Sequence, residues 1–233
     1  MIMNTAIIVA AGSGTRFGSK MPKQFLEIHG KPLIIHTLFA FENCLQIDAI
    51  VLVLSSDETA NFLKIVGKYN LKKLVKIVSG GKSRAESVLK GFNAIRPTNA
   101  KIVAVHDGAR PCVTSAEISE TIEKARETGA ACLVASVTDT IKEVADGKII
   151  TTIDRNKLRR ALTPQAFRYE ILKRALTEND IGETATDECY LVEKTGVEVS
   201  IVEGKSTNIK VTTQEDLLIA AQILRNHNES IKK

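Results

Sequence analysis

Runs of consecutive apolar residues alternate along this chain with stretches in which apolar residues recur every three or four positions. The apolar runs are rich in β-branched residues and predict five strands. They are "AIIVAA" from Ala6, "AIVLVLS" from Ala49, "LVKIVSG" from Leu74, "KIVAVHD" from Lys101 and "ACLVASV" from Ala131. Because they do not alternate with polar residues, they are typical of parallel strands buried on both faces.

The amphipathic stretches between these runs predict helices over 31–42, 83–95 and 115–128, and a last helix after Thr212. Capping boxes, Thr114-x-x-Glu117 and Thr212-x-x-Glu215, precede the third and the last. The last helix carries Leu217, Leu218, Ala221 and Leu224. Alternation of strands and helices predicts an α/β fold, a Rossmann-like three-layer sandwich with a mostly parallel sheet, in a single domain over 1–233.

One segment, 138–156, departs from this alternation and reads "TDTIKEVADGKIITTIDRN". The pair Asp146-Gly147 is a hairpin turn signal between two β-prone, mostly polar strands. Because an isolated hairpin buries little surface, we expect this arm to project and to pack on something else. A second copy of the chain is a plausible partner.

The amino-acid composition and net charge limit the kinds of molecule that the protein is expected to bind. The net charge is +5 and the pI about 9.0, but the cations form no run, aromatic residues are 4% and Trp is absent. Stacking on nucleic acid is therefore disfavoured relative to binding of small anions. No apolar run approaches the roughly 20 residues of a membrane helix, and no secretory signal is evident. The four cysteines are far apart, which indicates reduced thiols in a cytoplasmic protein.

The first apolar run enters a loop that holds Gly12, Gly14 and Gly18. The spacing fits neither the dinucleotide fingerprint, because the third glycine comes one residue late, nor a P-loop. A glycine-rich surface turn is the plain alternative. However, Arg16 and Lys23 lie in the same loop. Backbone N–H groups can hold nucleotide phosphates, and two fixed cations can stabilise a pentavalent transition state at phosphorus.

Six further motifs follow this loop. They are "SGGKSRAESV" from Ser79, "VHDGARP" from Val105, "DTIK" from Asp139, "DRNKLRRALTPQAF" from Asp154, "TDECYLVEKTG" from Thr186 and "VEGKSTNIKVTTQEDL" from Val202. In this order the seven motifs resemble the sugar-phosphate nucleotidyltransferases. The chain is most similar to the family of 2-C-methyl-D-erythritol 4-phosphate cytidylyltransferases of non-mevalonate isoprenoid biosynthesis. The resemblance implies a CTP-dependent transferase that is a homodimer through the arm and uses Mg²⁺.

The resemblance also implies roles for individual residues. Arg16 and Lys23 would stabilise the transition state. Nucleotide contacts would come from Ala10, Ala11, Gly12, Gly14, Gly81, Ser87 and Asp107. Contacts to the acceptor, a sugar-alcohol phosphate, would come from Arg110, Thr140, Arg155, Thr163 and Lys210, with Arg110 and Thr140 reaching across the dimer interface.

For some residues the sequence leaves more than one role open. Asp107 ends a predicted parallel strand, where open α/β sheets bind ligands, and could contact ribose, metal or acceptor. Arg84 is either a nucleotide contact or a solvated helix residue. Lys210 lies in a strand-like "NIKVT" segment, and His106 is expected to be packed or hydrogen-bonded rather than catalytic. Mg²⁺ is expected to be held mainly by nucleotide phosphates, with Asp107 as a candidate ligand.

The implied reaction needs no protein nucleophile. A phosphate monoester, whose second pKa is about 6, attacks the α-phosphorus of CTP and displaces pyrophosphate. Ribitol-5-phosphate cytidylyltransferase, with the same fold and reaction, is the nearest alternative. Gly108 and the "RRAL" stretch differ from the residues most common in the family at positions near the acceptor. A nicotinamide-dependent dehydrogenase and a non-catalytic nucleotide-binding module are alternatives of other classes, which the glycine spacing and the two cations disfavour.

Overall fold

The protein is described from a computed structural model, which covers residues 3–12, 22–96, 100–179 and 186–231. Its strands are β1 (Met3–Ala10), β2 (Glu27–Ile28), β3 (Lys31–Pro32), β4 (Ala49–Leu54), β5 (Leu74–Ser79), β6 (Ala100–Asp107), β7 (Ala130–Ser136), β8 (Ile141–Ala145), β9 (Lys148–Ile153), β10 (Arg159–Arg168) and β11 (Ser200–Glu203). Its α-helices are α1 (Leu33–Glu42), α2 (Ser56–Val66), α3 (Arg84–Asn93), α4 (Ser115–Thr128), α5 (Tyr169–Glu178), α6 (Glu188–Glu193) and α7 (Gln214–Ile231). Short 3₁₀ turns occur at Lys23–Phe25 and Arg155–Lys157.

Seven strands form one sheet in the order β11-β7-β10-β6-β1-β4-β5. All neighbouring pairs in this sheet are parallel except those of β10, which runs antiparallel to both β6 and β7. The sheet is therefore mostly parallel, as predicted. The reversed strand in its middle brings residues after the arm back to the edge of the sheet at which β6 ends.

Helices cover both faces of the sheet, and the side chains of each strand alternate between them. Ile8 and Leu52 pack with α1, α2 and α4 in one apolar cluster. Ile7 and Val51 pack with α3, α5 and α6 in a second. This double coverage explains the apolar runs of the inner strands β1, β4 and β6, and it confirms the three-layer α/β fold. Strand β5, also predicted to be buried on both faces, is instead an edge strand, and its Val75 is 61% exposed.

The last helix, α7, packs outside these layers. Its Ala220 is buried, and Leu217 and Leu224 pack against a smaller cluster that includes Ala109 and Val211. Leu218, which the same helix carries, is 73% exposed.

All five predicted strands and all four predicted helices are present. Two further details were wrong. The capping box of α7 is shifted by one residue, because Thr213 Oγ1 accepts from the Asp216 N–H while the Asp216 carboxylate accepts from Thr212 and Thr213. The segment before it, 208–212, is not a strand; its course is fixed instead by a hydrogen bond from Val211 N to Ala109 O.

The arm is a two-stranded antiparallel hairpin of β8 and β9, as predicted. Its turn residues Asp146 and Gly147 have φ of 48° and 73°, as in a turn that needs left-handed backbone at both central positions. Val144 and Ile149, paired across the ladder, are each 65% exposed. The arm thus presents apolar side chains to solvent.

The four cysteines are buried and unbridged, in agreement with the prediction that they are free thiols. Among the described residues, none of the helices combines the length and apolar character needed to cross a membrane.

Candidate active site

A cavity of about 540 Å³ opens where β1 and β6 end at their carboxyl edge. Its walls are the loop after β1, the start of α3, the end of β6 and the segment before α7. The lining residues are Val9, Ala10, Ala11, Gly12, Lys23, Gln24, Gly81, Lys82, Ser83, Arg84, Ser87, Asp107, Ala109, Lys210 and Thr212. Parallel strands whose carboxyl ends meet in a crevice are the usual ligand site of open α/β sheets.

The turn before α3 is held rigidly at one wall of this cavity. Ser87 Oγ donates to Ser83 O (2.9 Å) and accepts from Gly81 N (3.0 Å). A Cβ on Gly81 would lie 2.4 Å from the Cβ of Glu86, so a side chain at 81 cannot be accommodated without displacing the helix. This close packing leaves backbone atoms of the turn facing the cavity.

Asp107, at the end of β6, is surrounded by three cations. Arg84 Nε donates to its Oδ1 at 3.0 Å, Lys210 Nζ lies 2.8 Å from Oδ2, and Arg110 Nε lies 3.6 Å from Oδ2. Burial raises the pKa of this carboxyl, but the charges of Arg84 and Lys210 outweigh burial and hold the pKa well below its usual range. Asp107 is therefore ionised, and it draws three cationic side chains to one point of the cavity.

Arg84 connects Asp107 to a second carboxylate. Its Nη1 donates to Glu188 Oε1 at 2.6 Å. Burial lowers the pKa of Arg84, but the neighbouring charges of Glu188 and Asp107 outweigh it and raise that pKa above its ordinary value. Burial also raises the pKa of Glu188, which Arg84 partly offsets. A helix residue of α3 and one of α6 are thereby joined beside the cavity.

A polar layer lies directly behind Asp107. The Asp107 N–H donates to Thr163 Oγ1 (3.1 Å), which lies 3.0 Å from His106 Nδ1. Because His106 Nε2 faces a carbonyl oxygen that can only accept, Nδ1 of the neutral ring accepts from the Thr163 hydroxyl. His106 Nε2 then carries the proton and donates to Arg110 O (3.2 Å). Burial lowers the pKa of His106 to about 3, so the ring is neutral, and its packed, hydrogen-bonded role matches the sequence prediction.

Backbone carbonyl groups of the segment before α7 orient one further cation, Lys23, and also Arg110. Lys23 Nζ donates to Val211 O at 3.0 Å, and Arg110 Nη1 donates to Asn208 O at 2.9 Å. The extended segment 208–212 thus positions Lys210 by its own course and two other cations through its carbonyl oxygens.

Of the residues predicted for the site, one group lines this cavity: Ala10, Ala11, Gly12, Lys23, Gly81, Ser87, Asp107 and Lys210. Thr163 and Arg110 lie just behind it, in contact with Asp107. Thr140 and Arg155 do not line it; they are exposed at the base of the arm, where Arg155 Nη1 donates to Thr138 O. Arg16 and Gly14 lie outside the described residues.

The structure changes the interpretation of two residues beside the cavity, Arg84 and Glu188. Arg84 is no solvated helix residue, because both of its carboxylate partners are buried. Glu188, within the quoted "TDECYLVEKTG" motif, carries no signal of its own in the sequence. Its partner lies on another helix, far away along the chain.

The described residues provide no cluster of three or more His, Cys, Asp or Glu side chains suited to a metal. Asp107, the candidate Mg²⁺ ligand, has both carboxylate oxygens engaged by cations. In this arrangement its side chain does not fit the role of a metal ligand.

Comparison with known proteins finds one family at the level of both sequence and structure. A sequence model of the 2-C-methyl-D-erythritol 4-phosphate cytidylyltransferase family matches residues 4–226. The chain is 42% identical over 226 residues to the protein of that name from Desulforamulus reducens, covering 96% of each chain. It is 43% identical to that of Bacillus licheniformis, covering 95% of this chain and 96% of the relative. The structure is similar to that of 4-diphosphocytidyl-2C-methyl-D-erythritol synthase from Anaerococcus prevotii, with a TM-score of 0.84, 29% identity and 96% coverage of both chains.

Proposed function

Since the chain belongs to the 2-C-methyl-D-erythritol 4-phosphate cytidylyltransferase family, we propose that it transfers a cytidylyl group from CTP to 2-C-methyl-D-erythritol 4-phosphate. The products are 4-diphosphocytidyl-2-C-methyl-D-erythritol and pyrophosphate. The reaction belongs to non-mevalonate isoprenoid biosynthesis, and the cytoplasmic location expected from the sequence is part of the same proposal.

One observation carries this proposal: a single cavity is lined by the glycine loop, the turn before α3 and two cationic side chains, Lys23 and Lys210. A nucleotide has a base, a sugar and phosphates, and it needs donors for the base and sugar as well as positive charge for the phosphates. Backbone groups of Gly12 and Gly81 can supply the first, and the lysines the second. A dinucleotide-dependent dehydrogenase has no comparable use for the convergent cations.

In the proposed mechanism the acceptor phosphate attacks the α-phosphorus in line with departing pyrophosphate. Lys23 and Arg16 offset the negative charge that accumulates on the reacting phosphoryl group, and Lys210 holds the attacking phosphate. Asp107 holds Lys210 at the cavity before substrate arrives, and Arg110 lies behind Asp107. The acceptor's own phosphate oxygen is the nucleophile, so the protein contributes positioning and charge rather than a covalent intermediate.

Mg²⁺ remains part of the proposal only as an ion carried by the nucleotide phosphates. Such an ion would neutralise phosphate charge, and it would need few protein ligands. No step assigned here to a protein residue depends on it.

The proposal includes a homodimer built through the arm. The hairpin exposes Val144, Ile149 and Ile150 to solvent at 65%, 65% and 60%. An isolated hairpin with exposed apolar residues gains stability by packing on a partner, and a two-fold dimer lets both arms be covered in the same way. Thr140 and Arg155, at the base of the arm, would then complete the acceptor side of the partner's cavity.

The test is a matrix of donors and acceptors followed by pyrophosphate release. We expect rapid release only with CTP and 2-C-methyl-D-erythritol 4-phosphate together, and slow release when UTP, ATP or GTP replaces CTP. Ribitol 5-phosphate is the matched acceptor control, since it offers the same nucleophile on a different polyol. Faster release with ribitol 5-phosphate, or equal rates with UTP, contradicts the proposed specificity.

A further inference from the structure

A second cavity, of about 500 Å³, opens at the opposite edge of the sheet from the active-site cavity. It lies where β1, β4 and β6 begin and where α3 has ended, so the strands there extend beyond the helix that covers them farther along. Among the described residues, the two cavities share none of their lining. The volume falls in the range of about 300–1,000 Å³ that is usual for small-molecule sites, whereas a protein partner needs a broad surface.

Apolar side chains form the floor of the second cavity. Val51 and Ile95 belong to the apolar cluster beneath α3, and Val75 of the edge strand β5 lines the cavity with them. The pairing of β5 with β4 shifts by one residue at Val75, so the sheet is irregular at this point. A ligand that leaves water for this floor gains free energy from the burial of its own apolar surface.

One polar group lies among these apolar side chains. Thr5, on β1, is 4% exposed and lines the cavity, and its hydroxyl has no hydrogen-bond partner among the described residues. Ile7, the next residue on the same face of the strand, is apolar and fully buried. Because a buried hydroxyl without a partner is costly, Thr5 points to a polar group that enters the cavity with a ligand.

Two cations lie at the rim of the second cavity. Lys76 and Arg96 are exposed, and neither forms an ion pair or hydrogen bond with a described residue. None of the described residues that line the cavity is acidic. The carbonyl oxygens of Gly91 and Phe92, at the end of α3, already accept from N–H groups of the residues that follow the helix. The rim therefore favours an anion over a cation.

We propose that the second cavity binds a small amphipathic anion, an apolar chain or ring that carries one carboxylate or phosphate group. The apolar body lies on the floor of the cavity. The anionic group lies between Lys76 and Arg96, and the Thr5 hydroxyl donates to a polar atom of the ligand. Neither CTP nor its acceptor takes part, so this inference stands apart from the proposed function.

The test is calorimetric titration of the full chain with octyl phosphate and with octanoate, each below the concentration at which it forms micelles. Octanol, which lacks the charge, and inorganic phosphate, which lacks the apolar chain, are the matched control ligands. We expect one molecule of the anion per chain, bound at least about tenfold more tightly than either control, since a charge-assisted hydrogen bond is worth about this factor. The tighter of the two anions identifies the preferred head group. Failure of both to bind, or equally tight binding of octanol, overturns the inference.

Substitutions then test whether the anion lies in this cavity. Lys76→Gln and Arg96→Gln, both at exposed positions that should leave the fold intact by circular dichroism, are each expected to weaken binding by about tenfold. Thr5→Val keeps the shape of the side chain and should weaken it severalfold. Lys101→Gln removes the same charge at an exposed position on the same edge of the sheet, outside the cavity, and should bind as the wild type. Affinities that are unchanged in Lys76→Gln and Arg96→Gln, or weakened equally in Lys101→Gln, contradict the proposal.

The cations of the active-site cavity offer a second place where a phosphate could bind. Lys210→Gln removes one of them and should leave the affinity for octyl phosphate unchanged. If binding is lost in Lys210→Gln but kept in Lys76→Gln, the anion lies in the active-site cavity and the inference is wrong. These affinities are measured without CTP or acceptor. A wild type that releases no pyrophosphate would therefore overturn the proposed function alone.

Discussion

The cavity and the arm differ in how far one chain can complete them. Around Asp107, three cations pair with two buried carboxylates of the same chain, and the polar layer behind them is hydrogen-bonded through to the backbone. In the arm, paired apolar side chains face solvent. Arg155 donates to Thr138 O at the base of the arm.

The difference indicates that the cavity and the arm have separate roles. A cavity that is organised within its own chain can bind nucleotide before any partner is present, because the ordering cost has been met by folding. We expect an arm whose apolar side chains are exposed to gain stability by packing on a second surface. Nucleotide binding and acceptor binding should therefore respond differently to changes in the two regions.

The largest effect is expected for the two cations that follow β1, Arg16 and Lys23, of which Lys23 lines the cavity. Arg16→Ala or Lys23→Ala should lower kcat by about 10²-fold or more, since each removes a fixed charge from the developing phosphoryl transition state. Steady-state pyrophosphate release measures this, with Lys64→Ala on the exposed face of α2 as control. Turnover near the wild-type value in either variant, with the fold intact by circular dichroism, rules out the transition-state role.

Removing the tip of the arm should abolish most turnover but spare the cavity. A deletion of 143–151 takes away most of β8 and β9 together with the exposed apolar residues. We expect monomers by light scattering, little turnover, and CTP binding close to that of the wild type. Asp146→Asn, which keeps a residue suited to the left-handed turn, is the control and should remain dimeric and active. An active monomer after the deletion would show that the arm is dispensable, and an active wild-type monomer would show that dimerisation is.

A mixture of two inactive variants tests whether one catalytic centre uses both regions from different chains. In a heterodimer of Lys23→Ala and Thr140→Arg, one centre carries both defects and the other neither. After random subunit exchange about a quarter of wild-type turnover should return, because half of the dimers then hold one intact centre of two. Labelled subunits verify the exchange. A mixture that exchanges but stays inactive is evidence against shared centres.

The smallest expected effect concerns the polar layer behind the cavity. The pKa of His106 is lowered by burial from 6.5 to about 3, so the unfolded chain binds a proton that the folded chain does not. Its contribution to stability is complete above pH 6.5 and is lost as the pH falls towards 3, at up to about 1.4 kcal/mol per pH unit. His106→Gln should flatten the free energy of unfolding against pH in this window, measured by urea titration. Curves of equal slope for both proteins would contradict a neutral buried ring.

Five strands of the sheet were predictable because each contains an apolar run, and four helices because their polar and apolar positions are segregated. The central strand β10 was not predicted. Its "RRALTPQAFR" contains a proline and buried polar residues, both unusual in a central strand, and its Gln165 and Thr163 are polar because they serve the site. Helices α2, α5 and α6 and strand β11 were also not predicted.

Within the site, motif spacing brought out the residues that line the cavity, but not the contacts between them. The link between Arg84 and Glu188 joins residues 104 apart in sequence, so neither spacing nor charge pattern reveals it. Likewise the sequence favoured a strand for 208–212, whereas hydrogen bonds to Ala109 and from Lys23 and Arg110 determine its course. Long-range pairing of this kind becomes visible only once the fold is known.

The reversed direction of β10 has a consequence for how this fold can be modified. Ser136 and Arg159, the residues between which the arm leaves and re-enters the sheet, are register partners in adjacent strands. The chain therefore closes on itself at the base of the arm, as at the base of a hairpin loop, and the closure free energy changes only slowly with the length of what is inserted. The arm can therefore be lengthened, exchanged for that of a relative or replaced by a short turn while β7 and β10 keep their register. Assembly specificity can thus be engineered independently of the nucleotide site.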